Sequence, residues 1–147
     1  MLISKNLVED LMSTTVLFAR TDHKPTELSR LFFEMGIHHL PVLNDAGQVL
    51  GILSANDVLK AFSYKLNNWE HVDPTKLDQL FKVEELMTPQ PIKTISPKDS
   101  IWRAAKIFAE YKIHALPVVE KGKLVGIITG SDIIERCAEV EEDVHII

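Results

Sequence analysis

The chain has 147 residues, of which 46% are hydrophobic and 25% charged, so it can bury a core and is not a disordered segment. Its net charge is −5 and its lysines and arginines stand singly, which argues against a general binder of nucleic-acid backbones. A single cysteine, Cys137, excludes an internal disulfide, and no apolar run is long enough to cross a bilayer.

The N-terminus, Met1-Leu2-Ile3-Ser4-Lys5-Asn6, lacks the apolar stretch of a signal peptide, so a cytoplasmic location is expected. From there the chain reads as two copies of one pattern. Val8-Glu9-Asp10-Leu11-Met12 returns as Val83-Glu84-Glu85-Leu86-Met87. Ile37-His38-His39-Leu40-Pro41-Val42 returns as Ile113-His114-Ala115-Leu116-Pro117-Val118. Gly51-Ile52-Leu53-Ser54-Ala55-Asn56-Asp57 returns as Gly126-Ile127-Ile128-Thr129-Gly130-Ser131-Asp132. Three ordered blocks at a nearly constant offset are an internal repeat.

Each copy opens on an extended stretch, 15–19 and then 91–95. A helix follows, with Leu28, Leu31, Phe32 and Met35 on one face in the first copy. Ala104, Ile107, Phe108 and Tyr111 repeat that spacing, and Ser96-Pro97-Lys98-Asp99 is the expected start. Two strands come next, 38–43 with 49–53 and 114–119 with 124–128, each pair joined by a turn containing Gly47 or Gly122. A last helix covers 56–64 and 131–138, where Cys137 reads as a buried structural thiol. The fold class is α+β: two β-α-β-β-α repeats packed sheet to sheet about a pseudo-two-fold axis. The division is 1–64 for the first repeat, 65–82 for a linker, 83–138 for the second repeat and 139–147 for an acidic, solvated tail. Leu77, Leu80 and Phe81 predict one short docking helix after Pro74, and Trp69 is read as an anchor of the linker.

The two strand-to-helix corners carry the chemistry. In Ser54-Ala55-Asn56-Asp57 and Thr129-Gly130-Ser131-Asp132 a carboxylate can accept from both hydroxyls of a ribose. The free N–H groups of the following helix favour an anion nearby. The same spacing is also a helix capping box, which needs no ligand. Pro41 and Pro117 lack an N–H and suggest irregular or edge strands with main-chain groups left bare. No catalytic signature is present: there is no nucleophile–base pattern, no GxSxG, and no glycine-rich phosphate loop. His38 and His39 are adjacent, so they point to opposite faces of a strand, and no metal site is expected.

These blocks together resemble the CBS domain, named after cystathionine β-synthase. The resemblance rests on Leu86-Met87-Thr88-Pro89, Thr94-Ile95-Ser96-Pro97, His114-Ala115-Leu116-Pro117-Val118 and Gly126 to Asp132, with their counterparts in the first copy, and spans about 8 to 137. It implies a tandem pair that senses an adenosyl compound, AMP, ADP, ATP or S-adenosylmethionine, in clefts between the repeats. It implies no catalysis and no cofactor. The preferred cleft would join Ile92, Thr94, Ile113, His114, Ala115 and Pro117 to Ser54 and Asp57. The mirror cleft would join Val16, Phe18, His38, His39 and Pro41 to Thr129 and Asp132. Phe18 stands where the other copy has Thr94, and His39 where it has Ala115, so the mirror cleft is the fuller one. Lys93 and His114 are the phosphate candidates. A homodimer through helices and an effector protein are the partners the resemblance implies. The competing expectation is a ligand-free interaction module with Phe62, Tyr64 and Trp102 facing a partner.

Overall fold

A computed structural model describes residues 6–65 and 73–142. The chain divides into two compact units, Leu17–Ile92 and, among the described residues, Met1–Val16 with Lys93–Ile147. The units do not coincide with the sequence repeats, because each contains the opening segment of the other repeat.

In the Leu17–Ile92 unit, α2 (Pro25–Met35) begins with proline in its first turn, where the missing N–H costs nothing. It ends on Gly36 in the left-handed conformation, φ 62°. Leu28 and Phe32 are buried by their spacing of four, Leu31 is partly buried, and Met35 is exposed. The hairpin β1 (His39–Leu43) and β2 (Val49–Ser54) pairs Leu40 with Leu53, and both are fully buried. Ala55 N donates to the His38 carbonyl (2.9 Å) and turns the chain directly into α3 (Ala55–Lys65). The predicted docking helix is α4 (Pro74–Leu80), capped by Asp73, whose carboxylate accepts from Thr75 N at 3.0 Å. It is pinned to α2 by Asp78, which accepts from Thr26 N (3.0 Å) and Thr26 Oγ1 (2.6 Å). Behind it Phe81 is buried, its ring 5.3 Å from that of Phe62.

The segment that closes this core comes from the second repeat. In α5 (Val83–Leu86), Val83 and Leu86 join the cluster of Leu28, Phe32, Leu40 and Leu53. The short β3 (Thr88–Pro89) then adds to β2, pairing Thr88 with Ile52 and Pro89 with Gly51. Gly51 has no room for a side chain: a Cβ there would sit 2.5 Å from the Thr88 carbonyl and 2.8 Å from Met87 Sδ.

The other unit repeats the arrangement with the first repeat's opening segment. Val8 of α1 (Val8–Leu11) is fully buried among Ile95, Ala104, Leu116, Val118 and Ile128. Ser13 and Ile127 exchange backbone hydrogen bonds of 2.9 and 3.0 Å, the counterpart of Thr88 beside Ile52. A Cβ on Gly126 would lie 2.7 Å from Met12 Sδ. The helix α6 (Ile101–Tyr111) starts later than 96–99 predicts. Asp99 turns back to accept from Ser96 N (2.9 Å), and Ser100 is the cap, accepting from Arg103 N (3.2 Å). At its end Lys112 takes the left-handed conformation, φ 52°, that Gly36 takes in the first copy. Tyr111, like Met35, is the last helical residue and is exposed rather than in the core. The strands β4 (Ala115–Glu120) and β5 (Lys123–Thr129) lead into α7 (Gly130–Glu142).

Three further expectations are corrected. The stretches 15–19 and 91–95 are not ladder strands; each makes one parallel bridge, Ala19 to Val42 and Ile95 to Val118. The acidic end begins inside α7, where Glu139 pairs with Arg136 at 3.1 Å. Cys137 is a free, half-buried thiol on that helix. Trp69 lies outside the described residues.

Candidate functional site

Both kinds of predicted site residue gather at one end of each hairpin. His39 pairs with Ser54 in one unit and Ala115 with Thr129 in the other. Gly130 N donates to the His114 carbonyl (3.2 Å), as Ala55 N does to that of His38. The carboxylate corners thus stand beside the strand starts of their own repeats. His38, His114, Thr94 and Lys93 are exposed, whereas Val16, His39, Ile92 and Ile113 are half-buried. Ala115 is buried.

The two corners differ in their hydrogen bonds. Thr129 and Asp132 form a closed box: Asp132 Oδ2 accepts from Thr129 N (2.7 Å) and Thr129 Oγ1 (2.9 Å), and Asp132 N donates to Thr129 Oγ1 (3.3 Å). Ser54 and Asp57 form half of one. Asp57 N donates to Ser54 Oγ at 3.0 Å, and among the described residues the Asp57 carboxylate accepts no hydrogen bond and makes no ion pair. Asp57 is half-buried at the start of α3, so its two oxygens are available to hydroxyl donors.

Two sequence expectations change here. Pro41 and Pro117 are fully buried, and their carbonyls accept from Ala19 N (2.8 Å) and Ile95 N (3.1 Å). Each proline therefore sits between two neighbouring stretches instead of on a bare edge. Four first-turn amides of α3 and α7 are also not open to an anion. Those of Ala55, Asp57, Gly130 and Asp132 are already satisfied by His38, Ser54, His114 and Thr129.

Two neighbours of the predicted residues emerge from the structure. The Arg20 guanidinium lies over the Phe18 ring, 5.8 Å from its centroid, and pairs with Asp45. Alternation places residues two apart on one face of an extended stretch, so spacing alone could have found this pair. The Lys93 ammonium lies 4.1 Å from the centroid of Tyr111, a contact across many residues that no local pattern signals. Among the described residues no group of three or more His, Cys, Asp or Glu is placed to hold a metal ion, and no helix is long and apolar enough to cross a membrane.

The sequence profile of the CBS domain matches twice, at residues 8–64 and 83–139. The chain belongs to the CBS-domain family. The CBS domain pair of protein MJ0100, solved in complex with 5′-methylthioadenosine and S-adenosyl-L-methionine, superposes with a TM-score of 0.76 at 26% identity, covering 92% of this chain and 98% of that one. CBSX2 in complex with AMP superposes with a TM-score of 0.74 at 26% identity, over 92% of this chain and 98% of that one. In sequence, the CBS pair is 34% identical over 127 residues to homoserine O-acetyltransferase of Methanococcoides burtonii (86% of this chain). It spans only 23% of the length of that enzyme. The two repeats recognised in the sequence are thus CBS repeats, in an α+β fold shared with solved CBS pairs.

Proposed function

We propose that this CBS pair is a regulatory module that binds an adenosyl compound, from the set AMP, ADP, ATP and S-adenosylmethionine, and carries out no reaction itself. The observation that carries the proposal is the carboxylate of Asp57 at a strand-to-helix corner, unengaged among the described residues. Such a group can accept both hydroxyls of a ribose, while its partner in the repeat, Asp132, is occupied by its own cap. Asp57 is therefore the principal ribose acceptor. The bound adenosyl complexes of MJ0100 and CBSX2 support this class of ligand. Pro117 is buried with its carbonyl taken, so it is not proposed to touch the purine.

Isothermal titration of the full chain with AMP, ADP, ATP and S-adenosylmethionine tests it. Asp57→Ala should weaken the tightest of these about tenfold or more, a loss of about 1.4 kcal/mol, and Asp132→Ala should leave it nearly unchanged. Equal loss from both variants, or loss from Asp132→Ala alone, overturns the ranking. Absence of binding and of any thermal shift at millimolar ligand overturns the adenosyl reading.

A protein partner is the second part of the proposal. Tyr64 is 88% and Trp102 56% exposed, so these aromatic side chains are available to a second copy or an effector. Phe62 is not, because it packs against Phe81 and the core.

A further inference from the structure

We propose that Met12 and Met87 are oxidation sites: hydrogen peroxide converts their thioethers to sulfoxides and thereby releases the two opening segments from the sheets that hold them. The observation is a matched pair of sulfur–glycine contacts, one in each unit. In the Leu17–Ile92 unit a Cβ on Gly51 would stand 2.8 Å from Met87 Sδ and 3.1 Å from its Cγ. In the other unit a Cβ on Gly126 would stand 2.7 Å from Met12 Sδ and 3.1 Å from its Cγ. Each sulfur fills the place of the side chain that its glycine lacks. Both methionines are half-buried, and each packs on the core of its unit. A thioether so placed is apolar enough to join a core and near enough to the surface for a small oxidant. Met35, the third methionine among the described residues, is 56% exposed and lies in neither core.

In the step itself one oxygen of the peroxide passes to sulfur, the O–O bond breaks, the thioether gives up two electrons and water leaves. The product carries a polar S=O in place of an apolar contact, and that oxygen needs a hydrogen-bond donor. Main-chain N–H groups of the segment and its strand are taken. Met12 N donates to the Val8 carbonyl (2.9 Å), Ser13 N to that of Ile127 (2.9 Å) and Ile127 N to that of Ser13 (3.0 Å). Met87 N donates to the Val83 carbonyl (2.9 Å) and Gln90 N to that of Leu50 (3.2 Å). The new oxygen gains a partner by breaking one of these bonds or by turning out to water, and either move lifts the methionine off its glycine. The helices α1 and α5 are four residues each, so a segment that loses one of its few anchors opens without the rest of its unit unfolding. Two thiols acting through a methionine sulfoxide reductase take the oxygen back as water, become a disulfide and restore the thioether.

Treatment of the full chain with hydrogen peroxide, read by peptide mass spectrometry for the added oxygen and by NMR for amide exchange, tests the proposal. As Met12 and Met87 each gain one oxygen, exchange at the amides of Ile127 and Gln90 should quicken about tenfold or more, and enzymatic reduction should restore it. The double variant Met12→Leu/Met87→Leu keeps the volume but has no sulfur there, so it should stay protected at the same dose. Met35→Leu should lose protection as the wild-type chain does. Cys137 is present in every one of these chains, so its oxidation cannot produce the difference. Equal loss of protection in the double variant overturns the proposal, as does loss that persists after reduction. Two outcomes in the wild-type chain alone overturn it too: Met12 and Met87 staying unoxidised while Met35 is converted, or their conversion with both amides still protected.

Discussion

Asp57 and Asp132 occupy matched places in the two repeats and do different things. Asp132 and Thr129 satisfy each other and the start of α7, so Thr129→Ala should cost about 1 kcal/mol of stability, as N-cap losses do. Asp57→Ala removes a carboxylate that accepts nothing among the described residues, and should change stability by less than about 0.5 kcal/mol. Urea denaturation of both variants measures this contrast, and a larger loss from Asp57→Ala would show that its carboxylate serves the fold. The duplicated Ser/Thr-x-x-Asp spacing was legible in the sequence. Which box closes was not, because closure is a side-chain rotamer choice, and hydroxyl torsions leave no trace in residue spacing. The taken carbonyls of Pro41 and Pro117 were hidden for a related reason. Proline announces a missing donor but says nothing of who uses its acceptor.

At the scale of elements, the helix–hairpin–helix order of each repeat follows from periodicity and glycine turns. The errors fall at ends, where propensity is weakest. The start of α6 moves to Ser100 because Asp99 finds a better use in the turn before it. The matched C-termini of α2 and α6 show the cost of one residue type. Gly36 enters the left-handed region freely, whereas Lys112 at φ 52° carries a Cβ there. Lys112→Gly should therefore raise stability by about 1 kcal/mol, seen as a shift of the urea midpoint with an unchanged slope. A loss of stability would show that the Lys112 side chain does more than endure its backbone.

At the scale of the whole chain, the repeat itself was plain from the sequence, but the exchange of opening segments was not. Val8-Glu9-Asp10-Leu11-Met12 and Val83-Glu84-Glu85-Leu86-Met87 are near copies, and so are the sheets that receive them. Residue identity cannot then say which segment joins which core. Each buries its valine fully and lays its methionine against a glycine, Gly126 in one unit and Gly51 in the other. Deleting residues 1–13 should accordingly harm the unit built from the second repeat. Hydrogen exchange should show faster loss at the amides of Ile127 and Ile101, which donate to Ser13 and Asn6. The amides of Ala19 and Leu43, bonded to Pro41 and Ala19, should stay protected. The same exchange has a consequence for synthesis. A nascent chain on the ribosome cannot finish its first sheet when the first repeat has emerged, since the strand that borders β2 lies beyond residue 87. Val8 must wait for Leu116 and Ile128 before it leaves water. Repeat-by-repeat maturation is therefore closed to this protein: the Leu17–Ile92 unit must wait for the opening of the second repeat, and the other unit needs residues on both sides of that stretch.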